Sequence, residues 1–266
     1  MPLAVCATPI GNLDDITLRV LAELREADLV LVEDTRHTRG LLDRHGIRAR
    51  LLSYHAHNEA QRVAELLPRL VLGERIALVT DAGMPVVSDP GARLVRAALD
   101  AGVEVTVLPG PSAVETALAG SGLAGDGYGF VGFLPRKGRE LDALWRELAS
   151  WPRPVVAFES AQRLPATLRS LAAFDPGREL AVCRELTKRF EEIVRGRAAD
   201  LAARFAAAPK GEITLVIAAG VATFDPAEAL AAVTELVEAG TPRRVAAEVV
   251  ARLTDTSRNG LYRGSL

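Results

Sequence analysis

The chain has 266 residues, 49% of them hydrophobic and 25% charged, with 22 glycines and 15 prolines. This usage excludes disordered, collagen-like and low-complexity classes, and at about 150 residues per domain the length predicts two domains. Thirty-two basic against 34 acidic side chains give a net charge of −2, so attraction to nucleic acid requires a local patch rather than the whole-molecule field. The longest uncharged stretches, such as Ile213 to Phe224, fall short of the roughly 18 residues of a membrane helix. No basic segment precedes the short apolar run at the N-terminus, so a cytoplasmic protein is expected. Cys6 and Cys183 lie in apolar strand-like contexts and are read as buried, reduced thiols.

In chain order, short β-branched runs at Leu3–Cys6, Leu29–Val32, Ile76–Thr80 and Val103–Leu108 alternate with amphipathic stretches at Ile16–Ala27, Asn58–Leu72 and Gly91–Ala101. Buried strands alternating with helices predict a parallel α/β sheet. After the glycine-rich stretch 120–129 a second α/β unit is expected. Its strands are Phe130–Leu134, Val155–Phe158, Leu180–Arg184, Glu192–Arg195 and Ile213–Ala218, and its helices are Glu140–Ala149, Leu164–Phe174 and Ala198–Ala207. The short link from Arg184 to Phe190 makes a hairpin, so this second sheet is expected to be mixed. Helices Pro226–Ala239 and Pro242–Leu253 form a tail. The predicted fold class is therefore two α/β domains, 1–119 and 120–224, followed by a helical tail module, 225–266.

Four loops beyond strand ends share glycine and proline: Thr8-Pro9-Ile10-Gly11-Asn12, Asp81-Ala82-Gly83-Met84-Pro85, Ser88-Asp89-Pro90-Gly91 and Pro109-Gly110-Pro111-Ser112. Glycine permits close backbone approach and positive φ, and proline stiffens the loop. Any one of these is ordinarily a strand-to-helix turn, with Ser112 or Asp89 as a cap. Four at the carboxyl ends of one sheet point to a small-molecule pocket. No Gly-Lys-Ser/Thr or Gly-x-Gly-x-x-Gly is present in them, which disfavours a kinase or a dehydrogenase. His55, His57 and Glu59 are spaced for metal ligation, but the sequence offers no further ligand and no metal is expected. Glu159 and Arg163, four apart at an expected helix start, suit a structural ion pair.

In order and spacing these loops resemble the tetrapyrrole methylase family of S-adenosylmethionine-dependent methyltransferases, whose fold pairs two α/β domains around a cleft. The segments Glu33-Asp34-Thr35-Arg36-His37-Thr38, His55-Ala56-His57-Asn58-Glu59, Phe158-Glu159-Ser160-Ala161-Gln162-Arg163, Arg184-Glu185-Leu186-Thr187-Lys188 and Lys210-Gly211-Glu212 resemble its branch acting on small-subunit ribosomal RNA. That resemblance implies S-adenosylmethionine as cofactor, methylation of a cytidine 2′-hydroxyl in the decoding region of 16S ribosomal RNA, and a homodimer with no membrane association. It covers about residues 3–219. Met84 stands where this branch usually carries threonine, removing a hydroxyl near the expected cofactor site. The segment 257–262 follows a shortened tail, and Gly260 weakens a helix there by roughly 1 kcal/mol.

The resemblance implies cofactor contacts at Pro9, Gly11, Asn12, Asp81, Gly83, Met84, Pro85, Val87, Asp89, Pro109, Gly110, Ser112, Ala113, Phe158, Leu186 and Glu212. A weakly acidic ribose hydroxyl needs a base or a cation that stabilises the alkoxide. Lys188 is the first candidate, as cation or as base, and His37 the second. Asp34, Arg36 and Glu185 complete the catalytic set, all at the carboxyl ends of strands. Asp34 reads equally as a helix cap followed by exposed arginines. Arg36, Arg39, His55, His57, Arg184 and Arg189 are the expected RNA contacts. Five basic against three acidic residues over 184–197, and five against two over 241–266, are modest positive excesses. Aromatic residues are only 5%, so a platform for long single strands is not expected and one exposed nucleotide is. Two other readings stay open: methylation of a small tetrapyrrole on the same fold, and a non-catalytic ribosome-binding protein.

Overall fold

The structure, a computed structural model, describes residues 2–220, 226–254 and 256–266. The first sheet contains β1 (Leu3–Cys6), β2 (Leu29–Val32), β3 (Leu51–Ser53), β4 (Ile76–Leu78) and β5 (Val105–Leu108), all parallel and ordered β3-β2-β4-β1-β5. Its strands are apolar at nearly every position because both faces are covered. The side-chain alternation sorts them: Ala4, Cys6, Val30, Val32 and Ala77 join one core with Val20, Leu21 and Leu24 of α1 (Leu18–Glu26) and Leu41 and Leu42 of α2 (Thr35–Arg44). Leu3, Val5, Leu29, Leu31, Ile76 and Leu78 join the other, with Leu66 and Leu70 of α3 (Glu59–Val71) and Leu94 and Ala98 of α4 (Ala92–Asp100). A one-residue slip would exchange the two sets, so this alternation pins the register.

The second sheet is mixed, as its short hairpin predicts. It is ordered β6 (Gly129–Phe133), β7 (Val155–Ser160), β10 (Glu212–Ile217), β8 (Glu179–Arg184), β9 (Glu192–Arg197). Only β6 and β7 run parallel, and the remaining pairs are antiparallel. One face receives Val114 and Ala117 of α5 (Ala113–Ser121) against Val156, Ala181, Cys183 and Val216. Both cysteines are buried and unpaired, and burial pushes the Cys6 thiol up to about 12 and Cys183 up to about 11.

Two compact units emerge: residues 1–135 with 155–218, and residues 136–154 with 219–266. Both sheets belong to the first, which corrects the expected boundary at 119/120. That boundary cuts through α5, a helix carried by the first half of the chain but packed on the second sheet. The expected boundary at 224/225 lies outside the described residues. Within the first unit, α7 (Leu164–Phe174) and α8 (Ala198–Arg204) pack against each other. The second unit holds α6 (Gly138–Ala149), α9 (Pro226–Glu238), α10 (Arg243–Thr254) and α11 (Arg258–Gly264). Val233, Ala246, Ala247, Val250 and Leu261 make the core of the last three helices. Ser257 caps α11 by accepting the Gly260 amide, so the terminal helix forms despite its glycine. Among the described residues no helix is long and apolar enough to cross a membrane.

An ion pair within the first unit is buried enough to matter for stability. Glu23, with its side chain 2% exposed, accepts from Arg75 through both carboxylate oxygens, at 2.8 and 2.6 Å. Removing one partner strands a buried charge, at a cost of about 3 kcal/mol. Arg75→Met is therefore expected to lower the thermal midpoint by several degrees at pH 7.5, whereas Arg96→Met, which breaks an exposed pair with Asp100, leaves it within about a degree.

Candidate active site

The order of the first sheet sets the site's position. The chain leaves β1 for β2 and β3 on one side, and returns through β4 to reach β5 on the other, so the connections after β1 and β4 diverge from neighbouring strands. Such a switch point opens a crevice beyond the strand ends. The two loops are fastened across it by paired backbone hydrogen bonds, Thr8 N–H to the Gly83 carbonyl at 2.9 Å and Gly83 N–H to the Thr8 carbonyl at 3.0 Å. Thr8 Oγ1 also donates to the Thr80 carbonyl, at 2.9 Å. Gly83 adopts φ +79°, and the non-glycine residues Val86 and Ser88 are held at +76° and +66°. Backbone of this kind, costing about 1–3 kcal/mol per residue, gathers at functional loops.

A cavity of about 480 Å³ opens beside these loops. The first sheet contributes Ile10, Glu33 and the stretch 80–84 with 87–89, and α5 contributes Ser112, Ala113 and Val114. The second sheet closes it with Phe133, Phe158 to Ala161, Cys183, Leu186 and Gly211 to Thr214. β10 is antiparallel to β7 and β8, which brings its first residues to the end where those strands finish. Phe158 stacks edge-on with Phe130 and Phe133, centroids 5.0 and 5.4 Å apart.

Three of the five carboxylates on the cavity wall form one cluster. Glu33, Asp81 and Asp89 line one side, and no Lys or Arg lies within salt-bridge distance of them among the described residues. Burial, then the neighbouring Asp81 charge, raises the Glu33 pKa against a hydrogen bond from Thr80 and the nearby His55. Burial and the charges of Glu33 and Asp81 outweigh a Thr80 hydrogen bond at Asp89 and push it up to about 6. A carboxyl raised from 3.8 to about 6 on folding loses stability as pH rises through that window. Asp89→Asn is expected to stabilise the protein by on the order of 2 kcal/mol at pH 7.5 and by nothing at pH 3.5, measured by urea unfolding at both values.

Of the expected cofactor residues, Asp81, Gly83, Met84, Val87, Asp89, Ser112, Ala113, Phe158, Leu186 and Glu212 line the cavity. Pro9, Pro85, Pro109 and Gly110 are not on its wall. Gly110 instead abuts the Ala7 side chain, where a Cβ would come within 2.8 Å. Gly11 and Asn12 line an adjoining, more open groove with Leu13, Asp14, Arg44, Thr187, Lys188 and Arg189. Ser112 does not cap α5, since its hydroxyl is taken by Glu115, and α4 starts on Gly91 rather than Asp89. Glu33, Thr80, Ser88, Phe133, Glu159, Ser160 and Gly211 also line the cavity and escaped the sequence reading.

Lys188, in the groove, is bonded to the cavity residue Glu212. Its Nζ donates to Glu185 Oε1 at 3.0 Å and to Glu212 Oε2 at 2.8 Å. Burial draws the ammonium pKa down, but the hydrogen bonds to Glu212 and Glu185 outweigh it and hold the pKa above the ordinary lysine value. Of the two roles expected for Lys188, this environment favours the cation over the base. Hydrogen bonds from the Glu212 amide and from Lys188 hold Glu185 below the usual carboxylate range. The supporting loop is tight, with Glu185 and Thr187 at φ +52° and +64° and Thr187 Oγ1 accepting the Asn12 amide at 2.9 Å.

The residues after β2 and β3 sit elsewhere. Asp34 caps α2, accepting the Arg36 amide at 2.8 Å, and this bond with the Arg36 side chain holds its carboxyl below the usual range. Its own amide donates to Asp81 Oδ1 at 3.2 Å. Arg36, His37 and Arg39 are exposed, and none lines the cavity. His55 and His57 fall in the turn after β3 rather than on a strand, rings 5.9 Å apart. Glu59 accepts from Tyr54 Oη and from the Gly91 amide, both at 3.0 Å, and so ties α3 to the cavity loop. Among the described residues no group of three metal-ligating side chains exists. Arg184 is held by Glu192 and the Lys210 carbonyl. Glu159 lies at the end of β7, not on a helix, because that strand runs on to Ser160. Its carboxylate is fully buried and bonded to Arg163 at 3.0 Å and to Thr167.

Residues 2–202 match the model for the Tetrapyrrole (Corrin/Porphyrin) Methylases. The chain belongs to the tetrapyrrole methylase family. It is 45% identical over 216 residues to a protein named ribosomal RNA small subunit methyltransferase I from Thermotoga maritima, covering 81% of this chain and 97% of that one. It is 40% identical to the protein of the same name from Escherichia coli O157:H7, over 99% of this chain and 94% of that one. These identities put it in that branch of the family. Solved methyltransferases share the fold: the methyltransferase CobJ at TM-score 0.62 and 20% identity, covering 84% of this chain and 95% of that one. A uroporphyrin-III C-methyltransferase from Thermus thermophilus matches at TM-score 0.58 and 23% identity, covering 81% and 93%. The latter enzyme has also been solved with S-adenosylhomocysteine.

Proposed function

We propose that this methylase transfers the methyl group of S-adenosylmethionine to the 2′-hydroxyl of a cytidine in the decoding region of 16S ribosomal RNA. The observation that carries the reading is the pairing of two unlike compartments: a largely apolar cavity, three of whose five carboxylates have no Lys or Arg partner among the described residues, tied through the Glu212–Lys188 ion pair to an open groove. The donor, when bound, supplies an electrophilic methyl group on a positively charged sulfur. The cavity fits such a group, because Glu33, Asp81 and Asp89 lack a counter-cation while Ile10, Met84, Phe158 and Leu186 supply apolar walls. Its leaving group is already activated, so the chain's task is to align donor and acceptor and keep water out.

On the acceptor side, the Lys188 ammonium is positioned to stabilise negative charge growing on a ribose oxygen as its proton passes to solvent water in the open groove, and that oxygen takes the methyl group while the sulfur leaves as the neutral thioether. Glu185 and Glu212 keep that ammonium charged and in place. Met84 in place of threonine leaves the loop's backbone groups as its polar contacts. The homodimer implied by the branch and the RNA contacts at Arg36, Arg39, His55, His57 and Arg189 belong to the same proposal.

Labelled donor with undermethylated small subunits, and separately with a precorrin, tests the substrate. The expected result is label in ribosomal RNA, recovered as 2′-O-methylcytidine after nuclease digestion. Label only in the macrocycle would overturn the RNA assignment, and no transfer to either would favour a binding protein without catalysis.

A further inference from the structure

We propose that Arg189 and Phe190, at the tip of the β8–β9 hairpin, form a one-base stacking platform that holds the acceptor nucleotide in the groove beside Lys188. The inference rests on the RNA reading above and deepens it by naming what seats the base. Phe190 is 64% exposed, which for a lone surface apolar residue would need no explanation. Its setting supplies one.

The hairpin tip is held in place. Lys188 N–H donates to the Glu185 carbonyl and Glu191 N–H to the Lys188 carbonyl, both at 3.0 Å, and Thr187 N–H donates to the Glu191 carboxylate. Asn12 fastens the loop to the first sheet through Thr187. This hydrogen-bonded loop presents the phenyl ring to solvent two residues beyond the groove residue Lys188 and next to Arg189, which also lines the groove, whereas Phe190 itself stands outside the groove wall. The Arg189 guanidinium carbon lies 5.5 Å from the ring centroid, and no carboxylate lies within salt-bridge distance of Arg189 among the described residues. Arg189 lines the groove together with Asp14 and Arg44, whose charges are paired with each other at 2.9 Å.

A ribose hydroxyl reaches Lys188 reproducibly only if its nucleotide is fixed at a second point. An aromatic face with a stacked guanidinium binds a base through its π-face, and the guanidinium's outer edge remains available to phosphate. The scarcity of aromatic residues fits a platform for one base rather than a strand-length track.

Steady-state methylation of small subunits by the wild type and by Phe190→Ala, Phe190→Leu and Phe190→Trp tests this, with donor binding measured by calorimetry on the same proteins. Phe190→Ala is expected to raise KM for the subunit about tenfold, with kcat within twofold and donor affinity unchanged. Phe190→Trp restores KM, and Phe190→Leu, equally apolar but without a π-face, does not. The exposed ring predicts unchanged melting in every variant. Wild-type KM in Phe190→Ala, or full rescue by leucine, overturns the platform while leaving the RNA reading intact. A wild type that transfers no label to RNA overturns that reading and the platform with it.

Discussion

Lys188→Ala is expected to lower kcat for RNA methylation by about 10² to 10³, with donor affinity changed less than threefold. The asymmetry follows from location. Lys188 lines the groove and not the cavity, so its loss removes stabilisation of the acceptor oxygen without touching the donor's walls. The two carboxylates left behind, Glu185 and Glu212, then lie where negative charge must grow, which makes truncation worse than the loss of one favourable contact. Lys188→Arg keeps the charge but not the compact ammonium, and a partial loss of roughly tenfold is expected. Because Lys188 is held protonated by its two partners, the rate should show no ascending limb from lysine deprotonation between pH 7 and 9. A limb in that range absent from Lys188→Arg would assign Lys188 the role of base instead.

Gly11→Ala is expected to damage both rate and stability. A Cβ at Gly11 would collide with the Lys188 side-chain stem and come within 2.8 Å of Thr187 Oγ1 and 2.9 Å of the Leu186 carbonyl. Moving the lysine alone does not relieve this, because one of the three contacts is backbone. The seam must open, weakening the Asn12–Thr187 hydrogen bond and displacing Lys188 from its place in the groove. Misplacement of about 1 Å in a catalytic group costs up to 10² in rate, and the crowding costs about 1–3 kcal/mol of stability. The control is Gly46→Ala, where a Cβ meets nothing although φ is +62°; it carries backbone strain but is expected to leave the rate unchanged.

The parts that were legible in the sequence were local. The strands of the first sheet are short and apolar because both faces are covered, and glycine and proline mark the loops beyond them. The three-residue strand β3 was missed because Leu51–Ser53 is too short to show a period. Glu159 looked helical because Arg163 follows at helical spacing, yet the pair bridges a strand end and the cap of α7. The sequence points to Asp34 with Arg36 and His37 after β2 and not to Glu33. Glu33, one residue past the end of β2, lines the cavity, while Asp34 is spent on capping α2. Gly211 and Thr214 reach the site only through the antiparallel insertion of β10 between β7 and β8, a pairing that no local pattern encodes. Helix α5 departed furthest from expectation, because the sheet it covers lies later in the chain.

The central claim is that the cavity bounded by Asp81, Ser112 and Phe158 is where the methyl donor binds. Calorimetric titration of S-adenosylmethionine into the wild type and into Ala113→Trp, a variant that fills the cavity at the start of α5, tests it most directly. One donor per chain is expected for the wild type and none for the variant, with melting curves showing both proteins folded. Equal donor binding by the two folded proteins would contradict the account.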